Sequence, residues 1–518
     1  MSRVRRDRSV RAIPPLARAG AVLVAALAGV HLGCNELPPG EDGVASGHED
    51  RVAGARGLVL DSERAEGGCT LFSPLLSTTT YLIDRRGRVV HTWVSERAPG
   101  ASVELLDNGH LLRCARERDH PIVQAGGEGG RIEEMSWDGE LVWDYVLASR
   151  ERVQHHDIEP LPGGNVLAIV WEHRSRDEAI CAGRRPDRVP ERGLYPDGVV
   201  EIEPLPPAGG RVVWEWHAWD HLVQDLDPAQ ANFGVVSDHP ELIDINGDEA
   251  ARSLTGEVVE RLKALGYVIG NPSTGSLESD LLHTNAIAYH PELDQILLSV
   301  NRFDEIWILD HSTTSSEAAG HSGGRAGRGG DLIYRWGNPR SYGRGSAGRQ
   351  QLFAHHDGRW IPDRFPGAGN ITIFNNGAGR PGGDVSSVVE ITPPLASDGS
   401  YALERGSAWG PDRAHWSYPP PGAKTFSADF LSSAQRLANG NTFICSGPSG
   451  RFFEVTPEGD IVWEYQNPFA GHAPNPAGDP PYSVFRATRI PADHPALVGR
   501  RLVREQGRDS GRLADLEP

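Results

Sequence analysis

Short stretches in which apolar and polar residues alternate recur along the chain from about residue 57, and many of them end on a tryptophan. A period of two is typical of β-strands, and the Gly-containing turns between the stretches indicate hairpins. Six copies of this tryptophan-ended unit cover residues 81–93, 132–143, 199–214, 331–336, 414–416 and 452–463.

A second hairpin follows each of these units, commonly with a Leu-Pro-Gly-Gly or Leu-x-Asn-Gly turn. The second hairpins cover residues 103–112, 156–167, 283–298, 356–373, 432–444 and 485–497. Two hairpins make a four-stranded sheet, and six such sheets placed radially form a propeller, which protects its sheet edges by closing a ring. The pattern predicts an all-β fold, a six-bladed β-propeller; a β-sandwich of two stacked sheets is the alternative.

The third and fourth repeats are longer than the others, which predicts loop and helix insertions in blades 3 and 4. An amphipathic run at 253–265 predicts a helix, and a Gly/Ser/Arg-rich loop covers 314–330. Insertions in repeat proteins cluster on one face, often the binding face. The run from Asp244 to Asp248 resembles part of a calcium loop but lacks the sixth-position Gly and the terminal Glu, so no calcium site is predicted there.

Charge and composition narrow the classes of function. The 518 residues carry a formal net charge of −19, which argues against a nucleic-acid partner because phosphate binding needs clustered Lys and Arg. Lysine occurs only at Lys263 and Lys424, so no Gly-x-x-x-x-Gly-Lys loop for nucleotide phosphates is present. The 61 glycines and 39 prolines favour many turns over long helices.

The N-terminus predicts export. Six arginines within residues 1–18 precede an uncharged, Ala/Val/Leu-rich stretch at 19–30 that is too short to span a bilayer. A Leu-Gly-Cys run then ends at Cys34, as in bacterial lipoproteins. We therefore expect a signal peptide over 1–34 and a periplasmic protein anchored to the membrane by a lipid on Cys34; an ordinary cleaved signal peptide is the alternative.

The rest of the chain divides into three predicted parts: a flexible linker at 35–56, the propeller at 57–499 and a polar tail at 500–518. Past Cys34, four cysteines remain, an even number that permits two disulfides in three connectivities. They are Cys69, Cys114, Cys181 and Cys445. Their irregular spacing does not match a zinc ribbon, so structural or free-thiol roles are predicted.

Three histidines occupy the same phase of consecutive repeats. His156 stands five residues before the turn residue Leu161, and His283 and His356 hold about the same place in the next two repeats. Strands of this phase lie near the axis of a propeller, so the three imidazoles are predicted to share one site. Strand alternation would turn the preceding residues, His155 and His355, to the opposite face.

The equivalent positions in the other three repeats are Ala101, Ser432 and Phe485. Arg302 follows His283 by nineteen residues, just beyond the predicted strand 295–300. The N–H donors of its planar guanidinium group suit an anion held beside the histidines. The alternative is a surface ion pair with Asp304 or Glu305.

Several runs around these residues resemble the bacterial arylsulfotransferases, which work without nucleotides, and the similarity extends from about residue 57 to 499. The runs are Leu282-His-Thr-Asn-Ala-Ile, Asp294-Gln-Ile-Leu-Leu-Ser-Val-Asn-Arg-Phe-Asp-Glu-Ile-Trp, His356-Asp, Phe374-Asn-Asn-Gly and His155-His-Asp-Ile. His355 stands where we expect glutamine from the family pattern. No separate N-terminal β-sandwich, which some members carry, is evident.

The resemblance implies an exported six-bladed propeller that needs no cofactor or metal and acts on phenols. A phenolic sulfate would be the donor and a phenol the acceptor, in a ping-pong reaction through a sulfohistidine. By motif position His356 would be the nucleophile, supported by His156, His283 and Arg302. The sequence also permits a homodimer.

Three other functions remain as alternatives. Axial histidines could hold iron or zinc, oriented by Asp157 or Asp357, although Arg302 would repel a divalent cation. A pyrroloquinoline-quinone dehydrogenase also repeats tryptophans but usually has more blades. A propeller can also be a non-catalytic interaction scaffold.

Overall fold

The computed structural model describes residues 56–117, 125–250, 254–270, 272–420, 425–471, 481–500 and 502. The predicted signal peptide with Cys34, nearly all of the linker and most of the tail lie outside these residues, so their limits stay predictions. Of the helices in the described part, none is long and apolar enough to cross a membrane.

β-Strands account for most of the regular structure in these ranges. The strands of the first half are β1 (Gly57–Asp61), β2 (Cys69–Pro74), β3 (Thr79–Asp84), β4 (Val89–Val94), β5 (Pro99–Leu105), β6 (Leu111–Arg116), β7 (Gly130–Met135), β8 (Leu141–Val146), β9 (Arg152–Pro160), β10 (Val166–Glu172), β11 (Asp197–Pro204), β12 (Gly210–His217), β13 (Leu222–Val223) and β14 (Ile243–Asp244). Those of the second half are β15 (Thr284–His290), β16 (Gln295–Val300), β17 (Glu305–Asp310), β18 (Tyr334–Trp336), β19 (His356–Trp360), β20 (Ile371–Asn375), β21 (Ser387–Ile391), β22 (Trp416–Tyr418), β23 (Ser433–Arg436), β24 (Thr442–Ser446), β25 (Arg451–Val455), β26 (Ile461–Gln466) and β27 (Val484–Ile490).

Six antiparallel sheets form the six blades, which confirms the predicted all-β six-bladed propeller. From the inner to the outer strand, the blades are β27-β2-β3-β4, β5 to β8, β9 to β12, β15 to β18, β19 to β22, and β23 to β26 with β1 added outside β26. The inner strands contact one another in sequence around the ring, and β23 contacts β27 to complete it.

The ring is closed by strands from both ends of the described chain. β27 pairs with β2, so that Cys69 lies opposite Ile490 and Phe72 opposite Ala487. The sequence predicted a complete hairpin over 485–497, but one strand forms there, because its partner comes from the N-terminal side. A blade therefore begins with the second hairpin of the sequence repeat, and the tryptophan-ended unit supplies its outer strands.

The repeated tryptophan joins neighbouring blades. In each blade its indole N–H donates a hydrogen bond to a backbone carbonyl of the next blade: Trp93 to Ser136, Trp143 to Gly209, Trp216 to Gly330, Trp336 to Pro411, Trp416 to Pro457, and Trp463 to Arg85 of the first blade. In the third blade the donor is Trp216 rather than Trp214, whose indole binds Thr313. Each such bond contributes about 1 kcal/mol.

Four short helices are present in the described ranges, namely α1 (Arg176–Cys181), α2 (Gly256–Ala264), α3 (Thr274–Glu278) and α4 (Ser315–Ala318). α2 confirms the predicted helix over 253–265, and its N-cap is Thr255. Leu262 of α2 and Leu277 of α3 belong to one apolar cluster with Phe485 of the inner strand β27. The helices between the third and fourth blades therefore cover one end of the central channel.

The two disulfides that the cysteine count permits are not formed. Cys69, Cys114 and Cys445 are free and buried, and Cys181 is free and exposed. Burial raises the pKa of Cys69 to about 11 and that of Cys114 to about 12, so these thiols remain protonated and pack as small apolar side chains.

Candidate active site

The three predicted histidines lie on consecutive inner strands. His156 is within β9, His283 directly precedes β15, and His356 begins β19. The ring centroids of His156 and His283 are 4.5 Å apart. Phe485, at the same phase of β27, lies 6.1 Å from the ring of His156 and 6.4 Å from that of His356. The structure thus brings the three imidazoles together at the covered end of the channel.

Backbone irregularities place these rings. φ is 53° at His156 and 51° at His283, a left-handed conformation that costs a non-glycine residue about 1–3 kcal/mol. The strand register also shifts at His156 in β9, between Thr284 and Ala286 just after His283, and between His356 and Arg359. A bulge of this kind turns side chains out of the regular alternation, and it recurs at functional sites.

His283 is held by an acidic partner three residues earlier. Its Nδ1 is 2.5 Å from Oδ2 of Asp280, while Oδ1 accepts from the backbone N–H of His283 and from the indole of Trp171, each at 3.1 Å. Burial opposes charge on Asp280, but the adjacent His283 outweighs it and lowers the pKa of this carboxyl. The ionised Asp280 accepts a hydrogen bond from Nδ1 of His283 and fixes the orientation of the ring.

The hydroxyl of Tyr267, which follows α2, lies between two imidazoles. It is 2.5 Å from Nε2 of His156 and 3.4 Å from Nε2 of His283. Burial raises the pKa of Tyr267 well above its usual value, so the hydroxyl keeps its proton. Burial and the neighbouring His283 lower the pKa of His156 well below its usual value. Nε2 of the neutral His156 therefore accepts a hydrogen bond from the Tyr267 hydroxyl.

His155 extends this network, contrary to the prediction that it faces away. Its Nδ1 is 2.7 Å from Nδ1 of His156, its ring stacks on Trp171 at 4.0 Å between centroids, and its Nε2 is 3.4 Å from Asp197. The prediction was wrong because the left-handed backbone at His156 and the register shift in β9 break the alternation. Hydrogen bonds thus connect His155, His156, Tyr267 and His283 in sequence.

His356 has a defined tautomer. Its Nδ1 is 2.7 Å from Oδ1 of Asn376, whose amide nitrogen donates to the carbonyls of Ala428 at 2.7 Å and Leu431 at 3.0 Å. Because the amide nitrogen has these two acceptors, Oδ1 accepts a hydrogen bond from the Nδ1–H group of His356. Burial lowers the pKa of His356 to about 4, so the ring is neutral at pH 7 and Nε2 keeps a free lone pair.

His355 is buried beside it and is not among the residues that line the cavity shared by His283, His356 and Arg302. Its backbone carbonyl accepts from the amides of Asn285 at 2.9 Å and Asn301 at 3.0 Å. Burial lowers the pKa of the His355 ring to about 3. The carbonyl fixes Asn301 next to Arg302, and the ring stays neutral.

Arg302 lines the cavity with an incompletely neutralised charge. Its guanidinium is 3.8 Å from Asp248, and its Nε meets no hydrogen-bond acceptor within the described ranges. Asp248 is bound more closely by Arg184, at 2.6 and 2.8 Å, and by Arg188 at 3.1 Å. The ion pair is thus with Asp248, not with Asp304 or Glu305 as the alternative required. Three guanidinium groups share one carboxylate.

The cavity that His283, His356 and Arg302 share has two contrasting walls. One wall is polar, with His283, His356, Arg302, Asn301 and Asp304. The other wall is largely apolar, with Leu254, Leu262, Leu277, Tyr267 and Phe430. Such a pocket fits a flat apolar molecule that carries an anionic group.

The carboxylates that could have oriented metal-binding imidazoles serve another residue. Arg486 binds Asp157 at 2.6 and 3.0 Å and Asp357 at 2.9 Å. These buried acids neutralise a buried arginine instead of holding the histidines, which removes the orienting contacts that a metal centre at the axis would use.

Three residues that hold the histidines in place were not predicted from the sequence: Asp280, Tyr267 and Asn376. Asp280 stands three residues before His283, a spacing that could have marked it. Asn376 lies in the Asn-Asn-Gly run that carried the family resemblance, but no role followed from it. Tyr267 reaches the site from the long insertion, and the sequence contains no signal of that contact.

Comparisons with known proteins identify the family. The arylsulfotransferase (ASST) family model matches residues 73–468, and no curated protein matches the chain. Among solved structures, a protein of unknown function from Bacteroides caccae is 10% identical with a TM-score of 0.40, covering 82% of this chain and 99% of that one. Apo AztD from Citrobacter koseri is 10% identical with a TM-score of 0.35, covering 82% and 98%. The family model spans most of the propeller, and the chain therefore belongs to the arylsulfotransferase family.

Proposed function

We propose that this protein moves a sulfuryl group from a phenolic sulfate to a phenol in two steps, through a covalent sulfohistidine at His356. Membership of the family supports arylsulfotransferase activity in general. The observation that supports a covalent sulfohistidine is the hydrogen bond from Nδ1 of His356 to Asn376. This bond leaves Nε2 as a neutral nucleophile in the cavity.

In the first step, Nε2 of His356 attacks the sulfur of the donor. An S–N bond forms, the bond between sulfur and the phenolic oxygen breaks, and the electron pair leaves with the phenolate. His356 then carries the sulfuryl group on Nε2 and a proton on Nδ1. Because the oxygen of Asn376 does not remove that proton, the ring stays cationic and remains a good leaving group for the second step.

His283 is the proposed acid and base. Its Nδ1–H bonds to ionised Asp280, so Nε2 can give its proton to the departing phenolate. The deprotonated Nε2 can then take the proton of the acceptor phenol. In that second half-reaction the phenol oxygen attacks sulfur and the S–N electron pair returns to Nε2 of His356. Tyr267 and His156 hold the Nε2 side of His283 in a fixed network.

Arg302 is the proposed binder of the sulfuryl oxygens. Sulfuryl transfer resembles phosphoryl transfer, in which catalysis consists mainly of in-line positioning and stabilisation of the equatorial oxygens. Arg302 lines the cavity, is only weakly engaged by Asp248, and presents a planar pair of donors. The apolar wall formed by α2, α3 and Phe430 supports an aromatic donor and acceptor.

A burst experiment tests the two-step reaction. Excess aryl sulfate is mixed rapidly with the enzyme in the absence of added phenol, and the released phenol is followed by absorbance. We expect a fast release of one equivalent per chain in the wild type, none with His356→Asn, and a normal burst with His355→Asn. Phenol release that strictly requires an added acceptor would contradict a covalent intermediate.

We also propose that the chain is exported and held at the periplasmic membrane surface by a lipid on Cys34, a residue outside the described structure. The basic, apolar and Leu-Gly-Cys segments of the N-terminus support this. Cys34→Ser should move the protein from the membrane fraction to the soluble periplasm. Unchanged fractionation would favour an ordinary signal peptide.

A further inference from the structure

A second group of histidines lies in the insertions, apart from the residues that line the active-site cavity. His221 ends a 3-10 turn after β12, His321 lies in the loop after α4, and Asp331 precedes β18. Their ligand atoms all lie within 4.8 Å of one another. His221 and Asp331 are buried, whereas the side chain of His321 is 63% exposed.

The hydrogen-bond geometry holds these ligand atoms close together. Nε2 of His221 is 2.8 Å from the carbonyl oxygen of Ala318, which can only accept, so this nitrogen is the donor. Nδ1 of His221 lies 2.8 Å from Oδ1 of Asp331. The same oxygen is 2.7 Å from Nδ1 of His321. Two imidazole nitrogens and one carboxylate oxygen therefore converge, while the other nitrogen of His221 is held by a backbone carbonyl.

We propose that His221, His321 and Asp331 bind a divalent transition-metal cation, with Zn²⁺ as the ion that fits best. Two imidazoles and one carboxylate are a ligand set of zinc and unlike the all-oxygen sets of calcium and magnesium. A metal-binding histidine typically donates its other N–H to a backbone carbonyl, as His221 does to Ala318. The exposed side of His321 leaves room for the ion to enter and for water as a fourth ligand.

The site would fasten the 314–330 loop to the propeller. His221 comes from the segment between the third and fourth blades, and its ring is parallel to that of Trp216, whose indole binds Gly330 next to Asp331. His321 is the ligand that the loop itself supplies. An ion bound by all three would join the loop to the wall formed by His221 and Trp216.

Zinc titration of the full chain, produced without a histidine tag and stripped with a chelator, tests the site. We expect isothermal titration calorimetry with ZnCl₂ at pH 7.5 to show a site that His321→Ala weakens at least tenfold. Asp331→Asn should weaken it likewise, which guards against an effect peculiar to the loop. Zinc should also raise the Tm of the wild type more than that of His321→Ala.

Two variants in the surface cavity that His321 also lines serve as matched controls, because they remove other metal-binding side chains and leave the three ligands unchanged. They are His239→Ala and Cys181→Ser, and both should bind zinc as the wild type does. Equal zinc affinity in the wild type and His321→Ala would overturn the proposal. So would a wild-type chain that binds no zinc at pH 7.5.

Discussion

Replacing Arg302 by lysine separates anion binding from structural support. Arg302 lines the cavity and lies 3.8 Å from Asp248, beyond hydrogen-bond distance. Asp248 keeps its two short bonds to Arg184 when Arg302 is changed. We therefore expect Arg302→Lys to lower the free energy of unfolding by less than about 1 kcal/mol, the usual range for a loose ion pair.

The effect on catalysis should be much larger. Lysine keeps the charge but loses the planar pair of donors that would bind two sulfuryl oxygens. Loss of one positioned donor in a transition state typically costs about 3–4 kcal/mol, or roughly 10²–10³ in kcat. Steady-state transfer from an aryl sulfate to a phenol, with urea unfolding of the same preparation, gives both quantities.

Arg188→Lys is the matched control. Arg188 also faces Asp248, at 3.1 Å, but it is not among the residues that line the cavity. Its kcat should stay within a few-fold of the wild type. The reasoning is refuted if Arg302→Lys turns over normally while its unfolding free energy falls by more than about 2 kcal/mol, because Arg302 would then be a structural partner of Asp248.

Three further changes test the surroundings of the site. Tyr267→Phe leaves Nε2 of buried His156 without its hydrogen-bond donor, so it should lower the free energy of unfolding in urea by about 1–3 kcal/mol. It should also shift the pH profile of kcat/KM. An unchanged profile would limit Tyr267 to a structural role. His355 has its pKa lowered to about 3, so below pH 6.5 the unfolded state binds a proton that the folded state refuses, and stability is lost as the pH falls. His355→Gln should therefore reduce the loss of stability between pH 7 and pH 5 by about 2 kcal/mol, and it should keep transfer activity. If the stability of this variant depended on pH as that of the wild type does, burial of a neutral ring at His355 would be contradicted. Leu254→Ala should raise KM for the aryl donor roughly fivefold with little change in kcat, whereas an unchanged KM would remove Leu254 from the aryl-binding wall.

The repeat pattern was sufficient to predict the propeller because period-two alternation and the recurring tryptophan are local signals. The structure explains why tryptophan recurs, because each indole N–H donates a hydrogen bond to a backbone carbonyl of the next blade. The sequence did not indicate these bonds. Ring closure through β2 and β27 was not foreseen, because pairing between residues so distant in the chain has no local signal.

The recurrence of histidine at one position of the repeat predicted which blades contribute to the site, but it did not predict the directions of the side chains. Strand alternation failed at His155 because the backbone turns left-handed at His156, an irregularity invisible in the sequence. Asn376 and Tyr267 could not be assigned, because their roles depend on hydrogen bonds between distant segments. Buried titratable groups acquire their properties from such contacts and from desolvation.

The most direct test of the account is to locate the sulfuryl group on the protein. The enzyme is incubated with an aryl sulfate without acceptor, digested at alkaline pH, where an S–N bond should survive, and mapped by tandem mass spectrometry. We predict one added SO₃ on the peptide that contains His356, assigned to that ring, and its disappearance when a phenol is added before digestion. A sulfuryl group on another residue, or full turnover with His356→Asn, would contradict the central claim.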